Sequence, residues 1–202
     1  RRRLNQASGL LEQFCESHPQ HELAGSARNR LATMLVEQGR AVLQATGADD
    51  KQQAAEQAQA LFKRAGKQFA SAEKQLLEQL AAMPKLIAPG DQDARHRKQR
   101  LSADLAQARL LRANVDYELA ATYKPGSAKA KKHLSAAAKN YAALYETYRT
   151  RAVGLWARLW EGRSYQALGQ ESQALGCYRD LMELADADET RAVKTKATRH
   201  AL

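Results

Sequence analysis

The stretch from Leu159 to Leu184 reads "LWEGRSYQALGQESQALGCYRDLMEL" and breaks at Gly169-Gln170 into two halves. Each half carries apolar residues at steps of three and four, the spacing that lines one face of a helix. Small residues, Gly162 in the first half and Ala174 in the second, stand where two helices joined by a glycine turn would touch. The reading is a helical hairpin, and the same pattern recurs along the chain.

Residues 127–148 show it most clearly. Ala130, Leu134, Ala137, Ala138, Tyr141, Leu144, Tyr145 and Tyr148 form one stripe, preceded by the turn "KPGS" with Ser127 placed as N-cap. Shifted back by 72 residues, the stripe falls on Ala58, Phe62, Ala65, Phe69, Ala72 and Leu76. Shifted forward by 37, it falls on Ala174, Leu175, Tyr178 and Leu181, and a fainter copy is Ala7, Leu10, Leu11 and Phe14. On this reading the equivalent aromatics are Phe14, Phe69, Tyr141 and Tyr178. Between these second-type helices lie helices of a first type. One carries Ala27, Leu31, Met34, Leu35, Gln38 and Val42 and ends near 45–47. Another carries Leu101, Leu105, Ala108, Leu111, Val115 and Leu119. A third runs from Leu155 through Trp156, Leu159, Trp160 and Gly162 to Tyr165. Two helices of about 30 residues, at 51–82 and 92–123, are separated by "AAMPKLIAPGDQD", whose prolines and glycine require a loop. The pattern predicts an all-α chain, an α-solenoid of antiparallel helical hairpins at 21–83, 92–148 and 151–185 forming one domain. Residues 1–18 read as the end of a preceding repeat, and 189–202 as a cap or the start of a next helix.

Composition agrees. The chain of 202 residues has four Pro and eleven Gly and is rich in helix formers. Against 22 acidic side chains there are 32 basic ones, a formal charge of +10, which admits nucleic acid, an anionic membrane surface or an acidic protein as partner. Basic residues cluster at 1–3, 95–100, 129–133 and along Arg191–His200. No apolar run approaches the length of a spanning helix. The first residues lack a signal-peptide core and an initiator Met, so the sequence reads as part of a longer chain. Cys15 and Cys177 fall in different hairpins, beyond disulfide reach in a linear stack, and lean toward a reducing, cytoplasmic compartment.

Gly162, Tyr165, Gly169, Ala174 and Tyr178 together resemble the tetratricopeptide repeat signature, over about residues 154–186. The hairpin 101–148 resembles it less closely. This copy departs from the family pattern at two places: Arg158 stands where the early tryptophan is usual, and Asp186 where the closing proline is usual. The resemblance implies a right-handed superhelix whose first-type helices line a concave groove. It also implies a non-catalytic scaffold, without cofactor, that holds a peptide or partner protein there. Projected onto this sequence it assigns partner contact to Trp156, Leu159, Arg163 and Gln166, to which Arg109 and Arg112 are added.

Other chemistry is sparse. Cys15, His18 and His21 are spaced as metal ligands, but Pro19 interrupts the helix and no second ligand pair exists. Asp91/Asp93 and Asp186/Asp188 flank turns, where capping accounts for them. No phosphate loop, nucleophile elbow or zinc-protease motif occurs. The rival reading is RNA binding, with phosphates on Arg95, Arg97, Lys98, Arg100, Lys129, Lys131 and Lys132 and bases stacked on Tyr141, Tyr145, Tyr148 or Tyr165.

Overall fold

The structure is a computed structural model describing residues 2–45, 50–184 and 188–201, with side chains described from 5, 50 and 190 onward in the three segments. All regular structure among its described residues is helix, with no strand: α1 (Arg2–Ser17), α2 (Ala24–Gln44), α3 (Lys51–Ala81), α4 (Gln92–Ala121), α5 (Ala128–Tyr148), α6 (Ala152–Ala167), α7 (Glu171–Met182) and α8 (Asp188–Ala201). The expected end of α2 at Thr46-Gly47, the closing position Asp186 and the tip of the basic run at Arg1 lie outside the described residues.

Local chemistry sets the helix ends. α1 stops one residue before His18-Pro19, as the restriction on a residue preceding proline requires. Ser127 caps α5, its side chain accepting from the Ala130 N–H at 3.3 Å. Asp91 does the same for α4, accepting from the Ala94 N–H. α6 closes with a Schellman turn in which Gln170 N–H donates to Tyr165 O and Gly169 N–H to Gln166 O. Gly169 adopts φ +75°, the left-handed conformation that this turn needs.

The chain packs as two compact units, 1–115 and 116–202. In the first, α2 lies antiparallel to α3, since Gly25 meets Leu76 and Gly39 meets Phe62. It is also antiparallel to α1, with Gln38 donating to Asn5 and Ser8, and Arg28 to the Cys15 carbonyl. α4 runs beside α2 in the parallel sense. Asn29 donates to Asp104 O near one end of α2, and Arg40 to Asn114 Oδ1 near the other. On the face of α4 not used for this contact, Leu101, Leu105 and Ala108 form a core with Leu76 of α3. Ala106 and Ala113 are buried too, so α4 is covered on more sides than its single apolar stripe implied.

In the second unit α6 lies antiparallel to α7, with Gly162 under Tyr178 and Arg158 beside Asp180. α8 runs parallel to α6, its Val193 and Ala197 completing a core with Leu155, Leu159, Ala174, Tyr178 and Leu181. At its far end Gln166 donates to the His200 carbonyl.

One contact occurs in both units. A Cβ on Gly162 would stand 2.5 Å from Cε1 of Tyr178, and a Cβ on Gly39 would stand 2.5 Å from Cε1 of Phe62. Each aromatic ring therefore rests on the bare backbone of a glycine in the preceding helix. Phe62, rather than the expected Phe69, does in the first hairpin what Tyr178 does in the last. The reason is that α3 repeats its own pattern every seven residues. Ala58, Phe62, Ala65, Phe69, Ala72 and Leu76 are all fully buried, so the stripe alone fits two registers. We expect Gly162→Ala and Gly39→Ala each to lower stability by about 1–3 kcal/mol in urea titrations. Gly176→Ala, at an open position of α7, should raise it by about 0.5–1 kcal/mol through helix propensity alone. An unchanged midpoint for both destabilising variants would disprove this packing.

Candidate interaction site

Trp156, Trp160 and Arg163 occupy positions i, i+4 and i+7 of α6, so they share one face, and all three are half-buried. Arg163 lies on two aromatic faces, 4.3 Å from the Trp160 ring and 5.6 Å from the Tyr117 ring. Those rings meet edge to face at 5.2 Å, and Tyr141 lies across Trp160 at 6.4 Å. Further along the same face the Lys196 ammonium of α8 stands 4.6 Å over Trp156. The result is a row of aromatics in which Trp156, Trp160 and Tyr117 each carry a cation on a face.

A hydrogen-bonded group adjoins the row. The Tyr178 hydroxyl donates to Gln166 Oε1 at 3.1 Å, and the His200 ring lies against Tyr178 at 6.0 Å. Burial pushes the Tyr178 hydroxyl up to about 12, so it stays protonated as a donor. Burial also holds His200 below its ordinary value, with Arg163, Arg199 and Lys196 adding to the effect. His200 is thus neutral near neutral pH, and the positive charge of this face comes from its Lys and Arg side chains.

The sequence-derived set divides. Trp156, Arg163 and Gln166 come together on the row just described. Leu159 is 1% exposed and belongs to the core. Arg109 and Arg112 lie in the first unit, where both bind the Glu73 carboxylate of α3. Lys196 and His200 were read only as part of the basic run Arg191–His200 and not assigned to a site, and Tyr117 was not singled out by the sequence reading. Nothing in the α8 sequence marks which of its faces meets α6, and Tyr117 lies off the stripe that defines α4.

Behind the row, Arg158 supports α6. Its guanidinium binds Asp180 and, at 2.8 Å, the buried Glu161, and it covers the Tyr145 ring at 5.0 Å. Burial pushes the Glu161 carboxyl up, against the pull of Arg158 and of the Cys177 thiol bonded to it.

Two of the four tyrosines considered for base stacking are taken up within the fold. Tyr141 is fully buried, and Arg149 and Arg158 both lie over Tyr145. Arg97 of the basic cluster 95–100 faces Glu22 at 3.7 Å. Around the Cys15 motif, His18 and His21 both pack on Phe14, and His21 Nδ1 accepts from the Leu23 N–H. No described helix is long and apolar enough to cross a membrane. No protein-family model matches the chain, and no curated protein is significantly similar to it.

The two cysteines check the packing behind the row. Cys177 is 1% exposed and Cys15 5% exposed. Burial pushes the Cys177 thiol up to about 12, the charge of Glu161 adding to it, and burial raises Cys15 as well. Because the thiolate is the reactive form, iodoacetamide at about pH 8 should label neither residue in the native protein and both in urea. Mass spectrometry reads the result, and native labelling of Cys177 would mean that α6 and α7 are not closed as described.

Proposed function

We propose that the chain is an α-solenoid of tetratricopeptide-like hairpins acting as a non-catalytic scaffold, which holds a peptide or partner protein against the aromatic–cation row of α6. The solenoid part is supported by pairwise packing that repeats within each unit. Sequential helices are antiparallel, whereas α2 with α4, and α6 with α8, run parallel two elements apart. Arg158, standing at the usual tryptophan position of the repeat pattern, fits the same reading, because it joins α6 to α7 through Asp180 and stacks on Tyr145.

The observation that carries the scaffold part is the state of Trp156, Trp160 and Arg163. Large side chains of the types that dominate binding energy at protein interfaces lie half-buried in a row on one helix. Their cations are held by rings. Among the described residues Arg163 has no carboxylate partner, so it keeps donors for an incoming group. RNA is the second candidate partner for a chain of this charge, and the buried Tyr141 together with the covered Tyr145 argues against stacking there.

Affinity capture from lysate of the source organism, with and without nuclease, tests this reading when wild type is compared with Trp156→Ala and Arg163→Ala. A defined protein retained after nuclease, and reduced about tenfold or more by each substitution, is the expected result. Arg163→Ala should fold, since loss of a partly exposed cation–π contact costs about 0.5–1 kcal/mol. Trp156 also packs against the core of α6, α7 and α8, so Trp156→Ala is compared only where its circular dichroism matches wild type. Recovery only of nucleic acid, lost steeply as salt rises, would replace the scaffold reading.

A further inference from the structure

At one end of the second unit, Tyr117, Ala121, Tyr123, Pro125, Leu134 and Ala167 enclose an open recess of about 220 Å³. Its walls are the last turns of α4, the Tyr123–Gly126 turn, the start of α5 and the last residue of α6. Small-molecule sites generally run to about 300–1,000 Å³, so this one has the scale of a single large side chain. The turn is well braced. His133 lies flat on Tyr123 at 5.8 Å and is bonded to Asp116 at 3.1 Å, and Ser127 N–H donates to Lys124 O.

The surroundings specify what enters. Two of the walls carry a cation: Arg163 lies 5.6 Å from the Tyr117 ring, and Lys129 lies 5.7 Å from the Tyr123 ring. Neither has a carboxylate partner among the described residues, and Asp116 is already engaged by His133 and Asn140. A mainly apolar recess, two of whose lining rings carry a cation without a carboxylate partner among the described residues, on a chain of formal charge +10, is complementary to an apolar residue flanked by acids. A basic or neutral segment would leave both cations uncompensated.

We infer that this recess anchors one large apolar side chain, Leu, Met or Phe, of an acidic peptide segment whose carboxylates pair with Arg163 and Lys129. This inference rests on the scaffold reading and names the partner's chemistry.

Selection of a phage-displayed random-peptide library on the immobilised protein tests it, followed by titration of the selected peptides as fluorescein conjugates. The expected peptides carry one large apolar residue with Asp or Glu on either side. Their affinity should fall by about tenfold or more in Ala167→Trp, which fills the recess, and in Lys129→Glu, and should weaken as salt rises. Ala167 and Lys129 are exposed, so both variants should keep the wild-type circular dichroism. Ala121→Trp fills the recess from the opposite wall and replaces Ala167→Trp if that variant unfolds. Selected peptides without acidic flanks, or with affinities that neither filling the recess nor reversing Lys129 changes, overturn the inference and leave the scaffold reading standing. Failure to select any peptide counts against both.

Discussion

The packing of both units depends on an aromatic ring lying on a glycine: Phe62 on Gly39, and Tyr178 on Gly162. Where a side chain is missing from one helix, the neighbouring helix can approach to backbone distance, and a flat ring fills the remaining space. The ring also carries the next layer. Tyr178 contributes to the core that α8 completes through Val193 and Ala197, and its hydroxyl orients Gln166. A single close approach between α6 and α7 thus positions α8, and with it Lys196 and His200, beside the exposed side of α6.

Charge is handled differently inside and outside. Inside, Arg158 is surrounded by Asp180, Tyr145 and the buried Glu161, so a half-buried guanidinium has partners on several sides. A buried pair of this kind is costly to break, because removing one partner leaves the other desolvated and uncompensated. Outside, Arg163, Lys129 and Lys196 rest on aromatic faces. A cation over a ring loses less of its hydration than one in an ion pair and keeps hydrogen-bond donors for a further group. The difference pairs charges on the α7 side of α6 and leaves hydrogen-bond donors on the side that carries Trp156, Trp160 and Arg163.

Helix positions were legible because each depends on local chemistry. Ser127, Asp91, Pro19 and Gly169 mark ends through capping, ring geometry and left-handed backbone, and the observed ends fall beside them. Apolar periodicity placed Ala137, Tyr141, Ala174 and Tyr178 in the core. It failed where a stripe repeats within one helix, as in α3, and where a helix is covered on more than one side, as in α4. Gly39 went unnoticed for a related reason, since a glycine adds nothing to an apolar stripe and matters only when a ring is found above it.

The candidate site divides along the same line. Trp156, Arg163 and Gln166 were named through the resemblance of α6 to the tetratricopeptide pattern, and their spacing along one helix brings them near one another whatever surrounds them. Their surroundings could not. Lys196 approaches Trp156 from α8, and Tyr117 reaches Arg163 from α4, across sequence distances that carry no periodic signal. Leu159 shows the reverse, a residue whose position suits a surface until α7 and α8 close over it. By itself the sequence determined the helices, their order and the close approach at Gly162 in the last hairpin, because these follow from spacing and backbone preference. Which helix faces stay open, and which cations lie on them, only tertiary structure decided, because exposure is what remains after every neighbouring helix has taken its share.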